Sequence, residues 1–107
     1  MQFESELKSY FSSDLLKEKG LPTASHFGQC LNMSSNYLSD LLKKESGRGI
    51  KEHIDSHIVD KAKNILLQSS QSVSEIAFSL GFDYPQSFTR LFKKKTGVSP
   101  LEYRNLN

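Results

Sequence analysis

Three short helices with recognisable ends are predicted within residues 72–104, and this run limits the possible fold more than any other part of the chain. Ser72 and Glu75 have the spacing of a capping box, in which each side chain satisfies the other residue's backbone N–H at the start of a helix. Gly81 permits a tight turn after that helix. Two more helix starts are predicted, one from Asp83 with Gln86 and one from Ser99 with Glu102. Helix, tight turn and helix in this order are typical of a helix-turn-helix motif.

The middle helix of this segment is predicted to have an apolar inner face and a basic outer face. It extends from about residue 84 to residue 96, and Phe88, Leu91 and Phe92 recur at helical spacing after Phe82. Amide and guanidinium groups can pair with adenine and guanine edges, and lysines can reach phosphates. The opposite face carries such groups at Gln86, Thr89, Arg90, Lys93 and Lys94. This helix is therefore suited to the major groove of DNA.

The same pattern occurs twice in the chain. With a shift of 50 residues, the run Leu41-Leu42-Lys43-Lys44 aligns with Leu91-Phe92-Lys93-Lys94. Gly47 aligns with Gly97 by the same shift. Upstream of the turn the shift becomes 49, so the second copy has one extra residue there. Two units are too few for a solenoid, which needs three or more stacked repeats. The repeat therefore predicts two tandem helix-turn-helix units.

The first half of the chain predicts four further helices and nothing reads as a strand, so we expect an all-α fold with about seven helices. The predicted limits are a first helix ended by Gly20, a short helix from the cap Thr23 to Leu31, a helix from the cap Ser34 to Ser46, and a long helix from about Ile50 to Gln68. The short helix is expected to bury Phe27, Leu31 and the lone Cys30. The next helix is expected to bury Tyr37 beside Leu38.

Composition and charge exclude several classes. A chain of 107 residues is one ordinary domain. Its net charge of +2 is small, but residues 84–107 hold five Lys or Arg against one acidic residue, which is the footprint expected of a phosphate contact. No apolar run approaches the ~18–20 residues of a membrane span, and no signal peptide is evident. One cysteine excludes an internal disulfide, so an intracellular protein is expected.

Catalysis and metal binding are not expected. No nucleophile with its base, glycine-rich phosphate loop or carboxylate pair stands out. His53 and His57 are four residues apart, a spacing that can hold a metal, but no third ligand is evident, so both are predicted to be packing or surface residues. The alternative to DNA binding is a helical interaction module whose basic face binds an acidic partner. Gln86 and Arg90, at base-reading spacing, favour DNA.

These residues resemble the DNA-binding domain of AraC/XylS-type transcriptional regulators, over nearly the whole chain from Leu7 to Arg104. In the second half the matching residues are Ile76-Ala77, Gly81-Phe82, Phe88, Phe92-Lys93-Lys94, Gly97, Ser99-Pro100 and Tyr103-Arg104. In the first half they are Met33-Ser34, Tyr37-Leu38-Ser39, Lys43, Gly47, Ile54, Ala62 and Leu66-Leu67. Two residues depart from the family pattern: His57, where arginine is common, and Ser87, where an aromatic residue is frequent.

The resemblance implies one all-helical domain over residues 1–107, with two homeodomain-like helix-turn-helix subdomains joined by a linker helix. The expected parts are a first helix-turn-helix at about 23–47, a linker helix at about 50–68, a second helix-turn-helix at about 72–97 and a terminal helix at about 99–107. It implies sequence-specific binding of double-stranded DNA and regulation of transcription in the bacterial cytoplasm, at the nucleoid, without a cofactor. RNA polymerase and an N-terminal sensing or dimerisation domain are the other expected partners.

The predicted DNA contacts follow from the outer faces of the two helices and from the resemblance. The predicted base contacts are Asn36, Ser39, Gln86, Thr89 and Arg90, and the predicted backbone contacts are Ser35, Lys43, Lys44, Tyr84, Lys93 and Lys94. Asp40 could accept from cytosine N4, or it could turn away to pair with Lys43 or Lys44, which we favour. The linker helix, roughly 28 Å long, could hold the two helices near one DNA turn apart, about 34 Å, in successive major grooves.

Overall fold

The computed structural model describes residues 2–106, and this part of the chain contains eight helices and no strand. The helices are α1 (Gln2–Ser12), α2 (Leu15–Lys19), α3 (Ala24–Cys30), α4 (Ser35–Ser46), α5 (Ile50–Gln68), α6 (Val73–Ser79), α7 (Pro85–Thr96) and α8 (Pro100–Leu106). They form two compact units, of which the first extends through Ile54 and the second begins at Asp55. The predicted all-α class is confirmed. The last position of the predicted terminal helix, residue 107, lies outside the described residues.

The core of the first unit is built around aromatic side chains of α1 and α3. The rings of Phe3 and Phe27 meet edge to face with their centroids 5.2 Å apart, and both side chains are buried. Leu38 and Leu42, one turn apart on α4, are buried in the same unit. The Tyr10 hydroxyl donates to the Gly20 carbonyl oxygen at 2.7 Å and so ties α1 to the end of α2. Each fully buried Leu or Phe contributes about 1.5–3 kcal/mol, so this cluster holds α4 in place.

The core of the second unit is a chain of aromatic contacts along α7. Phe88 and Phe92 are both fully buried, and their ring centroids are 6.0 Å apart. Phe82, in the turn before α7, lies 5.5 Å from Phe88, and Tyr103 of α8 lies 5.5 Å from Phe92. Ile76, Ala77, Ile58 and Leu66 from α6 and α5 are buried in the same unit. The apolar face predicted for the middle helix of residues 72–104 is therefore the face that packs inward.

The ends of α4 and α7 are built alike, as the 50-residue repeat predicts. Gly47 and Gly97 both adopt the left-handed conformation, with φ of 80° and 86°. The N–H of each glycine donates to the carbonyl oxygen four residues earlier at 2.8 Å, which ends the helix. The hydroxyls of Ser46 and Thr96, one residue earlier, each donate to the carbonyl oxygen four residues back, at 2.7 and 2.8 Å. The repeat is thus one of local structure as well as of sequence.

The turns that precede α4 and α7 also correspond, with the predicted shift of 49. Asn32 and Gly81 occupy equivalent places in the turns, and both have positive φ, 57° and 97°. A backbone hydrogen bond spans each turn, at 2.8 Å in the first and 3.0 Å in the second. The helix N-caps Ser34 and Tyr84 are again 50 residues apart. The one extra residue of the second turn is therefore Asp83.

The predicted capping boxes are present in the second unit. The Glu75 N–H donates to the Ser72 hydroxyl at 3.1 Å, while the Ser72 N–H donates to the Glu75 carboxylate at 2.9 Å. In the same way, the Glu102 N–H donates to the Ser99 hydroxyl at 3.1 Å, and the Ser99 N–H donates to the Glu102 carboxylate at 3.0 Å. In the first unit, Thr23 and Ser34 cap α3 and α4 by accepting from the N–H three residues later, at 3.2 and 3.1 Å.

Two predicted helix limits are wrong. Asp83 does not cap α7: the N-cap is Tyr84, whose side chain makes no cap bond, and Pro85 is the first helical residue. Proline suits that position because it has no N–H to satisfy and its fixed φ is already helical. The first predicted helix is divided into α1 and α2. The Ser13 hydroxyl donates to the Tyr10 carbonyl oxygen at 2.9 Å and accepts from the Leu15 N–H at 3.2 Å, which competes with helical hydrogen bonding.

Three side chains predicted to be buried are not. Cys30 is exposed at the end of α3, with its Sγ 3.6 Å from Nε2 of His26. Leu31, just past that helix, is only partly buried. Tyr37 is 60% exposed. Both helices bury narrower faces than apolar spacing suggests: α3 buries only Phe27 and Gly28, and α4 buries only Leu38 and Leu42.

Gly28 should not tolerate a methyl group. A Cβ at this position would lie 2.6 Å from the backbone carbonyl oxygen of Met33, which the turn holds in place. We expect Gly28→Ala to lower the free energy of unfolding by about 1–3 kcal/mol, as overpacking usually does. Chemical denaturation would measure this. Gly49→Ala is the matched control, because a Cβ there meets only the side-chain ends of Lys43 and Ser39, at 3.2 Å, which can move. Equal losses in the two variants would contradict the steric argument.

The capping boxes should be visible in the titration of their glutamates. The Ser72 N–H, and then the Ser72 hydroxyl, hold the pKa of Glu75 below its ordinary value of 4.5, and Ser99 does the same to the pKa of Glu102. A lowered glutamate pKa means that the stabilisation is present above the unfolded value and is lost as the pH falls through the folded one.

We therefore expect NMR titration to give both carboxyl groups a pKa below 4.5. Ser72→Ala should raise the pKa of Glu75 part of the way back, because one of its two donors is lost. The pKa of Glu102 should not change in that variant and serves as the internal control. A Glu75 pKa at the ordinary value in the wild-type protein would be inconsistent with the box.

Candidate nucleic-acid interface

α4 presents a polar outer face because its opposite face is locked into the core. Leu38 and Leu42 are 1% and 0% exposed, which sets the rotation of the helix about its axis. The predicted contacts on α4 are exposed at Asn36, Lys43 and Lys44 and partly buried at Ser35 and Ser39. Asp40 is exposed among them. The structure thus leaves each predicted residue of the first unit accessible to a partner.

α7 has the same construction with more positive charge. Phe88 and Phe92 are fully buried, and the predicted contacts lie away from them. Gln86, Arg90, Lys93 and Lys94 are exposed, Thr89 is partly buried, and Tyr84 is 69% exposed at the N-cap. Lys93, Lys94 and Lys95 all lie in the last turn. Cations there also stabilise the helix itself, because they face the negative end of its dipole.

The two outer faces differ most at one position of the repeat. Asp40 on α4 and Arg90 on α7 are 50 residues apart, and both are exposed one turn after the predicted base-reading amides Asn36 and Gln86. An aspartate carries the charge that DNA repels, whereas an arginine can make two hydrogen bonds to guanine. The two helices therefore offer DNA different chemistry on a common frame.

His53 supports the C-terminal end of α4. Its Nε2 lies 2.8 Å from the Ser46 hydroxyl, and its ring packs edge to face on Phe3 with the centroids 5.6 Å apart. Burial and then the charge of Arg48 hold the pKa of His53 below the ordinary value of 6.5, although Glu4 and Glu52 act in the opposite direction. In the second unit the equivalent residue is Tyr103, which packs on Phe92. This histidine of α5 is thus a packing residue against the first unit's core and the end of α4, as predicted.

Arg104 is a supporting residue that the sequence did not single out beyond its place in the resemblance. Its Nε donates to the Leu66 carbonyl oxygen at 3.0 Å, and its Nη2 donates to the Ser69 carbonyl oxygen at 3.2 Å. These carbonyl groups end α5, where the last carbonyls of a helix have no partner within it. Arg104 therefore ties α8 to the end of α5 within the second unit. The only available signal was a basic residue in a terminal helix.

Two other classes of site find no support in residues 2–106. No helix in this range is long and apolar enough to cross a membrane. No group of three or more His, Cys, Asp or Glu side chains in the same range could hold a metal ion.

The comparisons with known proteins agree with this geometry. A family model described as a helix-turn-helix domain matches residues 27–106, which include both turns, α4 to α8 and all but the first three residues of α3. The chain belongs to the AraC/XylS-type family of transcriptional regulators. Members of this family are DNA-binding regulators of transcription and not enzymes. The family of this AraC-type domain therefore supports DNA binding.

Sequence relatives of this AraC-type domain are longer proteins. The helix-turn-helix transcriptional regulator YtdP of Bacillus subtilis is 35% identical over 82 residues, which are 77% of this chain and 11% of that protein. The xylose operon regulatory protein of Escherichia coli is 31% identical over 77 residues, 72% of this chain and 20% of that protein. The chain thus spans a fifth or less of these two relatives.

Solved structures share the fold. The C-terminal domain of AraT, a response regulator from Geobacillus stearothermophilus, superposes with a TM-score of 0.85 at 29% identity, over 99% of this chain and 83% of that one. The DNA-binding domain of AdpA, a global transcriptional factor solved with a target DNA, has a TM-score of 0.77 at 22% identity, over 95% and 89% of the two chains. The second likeness shows the fold alone.

The difference between Asp40 and Arg90 should appear in binding specificity. We expect Arg90→Ala to weaken binding to a selected site by about 1–3 kcal/mol and to relax the preference at one or two adjacent base pairs. Titration against the selected site and single-base variants of it would measure both effects. Equal losses on selected and scrambled DNA would show that Arg90 contacts only the backbone.

Asp40→Ala is the matched variant in the first unit. We expect it to leave affinity unchanged or to raise it, because removal of the carboxylate removes a repulsion from phosphates. The same titration series would measure this. Lost discrimination at one C·G pair would instead show that the carboxylate accepts from cytosine N4.

Proposed function

We propose that this chain binds a specific duplex site through both helix-turn-helix units, with α4 in one major groove and α7 in the next. The support is the repeated construction: each helix buries two residues one turn apart and leaves a polar face outward. The 19 residues of α5 rise about 28 Å, against roughly 34 Å for one turn of DNA. One chain could then bind an asymmetric site without a second copy, since its two halves would meet different helices.

The second unit supplies most of the sequence discrimination in this proposal. Gln86 suits adenine and Arg90 suits guanine, with Thr89 between them. The first unit offers Asn36 for adenine and the short side chain of Ser39. The observation that supports this assignment is the difference between Asp40 and Arg90, which occupy the same position of the repeat one turn after the base-reading amides.

Phosphate contacts would give this proposal its affinity. Lys93 and Lys94 in the last turn of α7, and Lys43 and Lys44 in the last turn of α4, are all exposed. Tyr84 and Ser35, at the start of the two helices, would add uncharged contacts. In a longer regulator, a sensing or dimerisation domain before this one and a contact with RNA polymerase would convert DNA binding into control of transcription at the nucleoid.

The dependence of binding on salt tests this role of the lysines. Each neutralised phosphate contributes about −0.9 to the slope of log K against log salt, so four lysines would contribute roughly −3.6. The double variant Lys93→Gln, Lys94→Gln should reduce the steepness by about 1–2 units and weaken binding to all sequences alike. Fluorescence titration of a labelled duplex at several salt concentrations would measure the slope.

Lys95→Gln is the matched control, because Lys95 lies outside the predicted contact face and should leave the slope unchanged. Stability should change by less than ~0.5 kcal/mol in these exposed variants. An unchanged slope in the folded double variant would remove α7 from the DNA interface. Loss of binding to an acidic protein rather than to DNA would favour the alternative of an interaction module.

A further inference from the structure

Tyr37 is exposed although Leu38 and Leu42, which were predicted to lie on the same apolar face, are buried. Its side chain is 60% exposed, whereas Leu38, the next residue, is 1% exposed. The described part of the chain offers its hydroxyl no hydrogen-bond partner, in contrast to the Tyr10 hydroxyl, which donates to Gly20. Packing therefore does not account for an aromatic ring at this position. The Tyr37 hydroxyl remains available for a hydrogen bond to a binding partner.

Tyr37 lies where a DNA-bound helix would meet the wall of the groove. It is the third residue of α4, in the first turn, which is the part of a recognition helix that contacts DNA most closely. Lys44 lies seven residues later, which is nearly two turns and about 10.5 Å along the axis, so both residues border the same edge of the outer face. Asn36 and Asp40 lie on the face that this edge borders. An edge beside a base-reading face is directed at the phosphates of one strand.

The second unit places its exposed tyrosine differently. Ser87 is the residue equivalent to Tyr37 by the 50-residue shift. The exposed aromatic ring at the start of α7 is instead Tyr84, the N-cap, which is 69% exposed. Each candidate recognition helix thus begins with one exposed tyrosine, but the two rings are not at equivalent positions. Tyr37 thus keeps the aromatic residue that is frequent in the family at this place, whereas Ser87 departs from it, so the second unit offers no tyrosine hydroxyl there.

We propose that the Tyr37 hydroxyl donates a hydrogen bond to a DNA phosphate and anchors the first unit, an inference that rests on the proposed DNA-binding function. Tyrosine is among the side chains that bind phosphate oxygens. A phenolic hydroxyl is neutral near pH 7, so it displaces no counterion and adds nothing to the salt slope. A neutral donor suits a helix that also exposes Asp40, whose charge opposes close approach to phosphate. The first unit therefore holds DNA with fewer cations than the second.

Tyr37→Phe tests this contact, since it removes the hydroxyl and keeps the ring. Binding would be measured at several salt concentrations, against a mixed-sequence duplex of about 30 base pairs and against a duplex selected from a random pool. We expect Tyr37→Phe to weaken binding to both duplexes roughly 10- to 150-fold, the usual effect of losing one hydrogen bond to a charged group. The salt slope should stay that of the wild type. Lys44→Gln should instead reduce the steepness by about 0.9.

Tyr10→Phe is the control for loss of a tyrosine hydroxyl from the same unit. It should lower the thermal midpoint, because its bond to Gly20 is lost, and should leave the affinity of the folded protein for DNA unchanged. Tyr37→Phe should leave the thermal midpoint unchanged and weaken the affinity for DNA. Wild-type affinity of Tyr37→Phe for both duplexes would overturn the inference, while the salt slopes of the Lys93 and Lys94 variants would still report on the proposed function. A loss confined to the selected duplex would show a base contact and overturn the phosphate assignment. Failure of the wild-type chain to bind either duplex would overturn both proposals.

Discussion

The burial of two residues one turn apart on each candidate recognition helix determines the rest of the structure. Phe88 and Phe92 on α7 are fully buried, so that helix cannot rotate about its axis without exposing a large apolar ring. Leu38 and Leu42 constrain α4 in the same way. Because the inner face is held, the opposite face is presented in one orientation. A surface that reads DNA needs this constraint, since base contacts depend on placing short polar groups within hydrogen-bond distance.

The shared frame allows the two units to diverge in chemistry without a change of fold. The left-handed glycines Gly47 and Gly97 end the two helices in the same way, so residues between turn and glycine keep the same places. Substitution at one such place gives Asp40 in one unit and Arg90 in the other. In our account the second unit discriminates bases and carries more charge, while the first contributes weaker and less salt-dependent contacts. In the proposed function, the duplicated motif would recognise two unlike half-sites within a single chain.

Features that depend on a few neighbouring residues could be predicted from the sequence, and features that depend on distant ones could not. The capping box at Ser72 and the helix end at Gly97 need only local hydrogen bonds, and both were predicted correctly. The exposure of Cys30 and Tyr37 depends on how wide a stripe each helix buries, which apolar spacing does not specify. Arg104 bonds to Leu66 and Ser69, which precede it in the sequence by 38 and 35 positions, so no local pattern could predict these bonds. The predicted DNA contacts are all accessible, and their roles remain predictions.

The placement of both helices in major grooves is tested most directly by atomic substitution in the DNA. Adenine and guanine present N7 only in the major groove, so 7-deaza analogues remove one acceptor there and change nothing in the minor groove. A duplex selected by the 107-residue chain would be scanned one purine at a time, and affinity would be measured for each substitution. Our account predicts two clusters of purines whose substitution weakens binding, centred about 10–10.5 base pairs apart. The stronger cluster should belong to α7, and its effect should disappear when the scan is repeated with Arg90→Ala. A single cluster, or none, would contradict the binding of one chain in two successive major grooves.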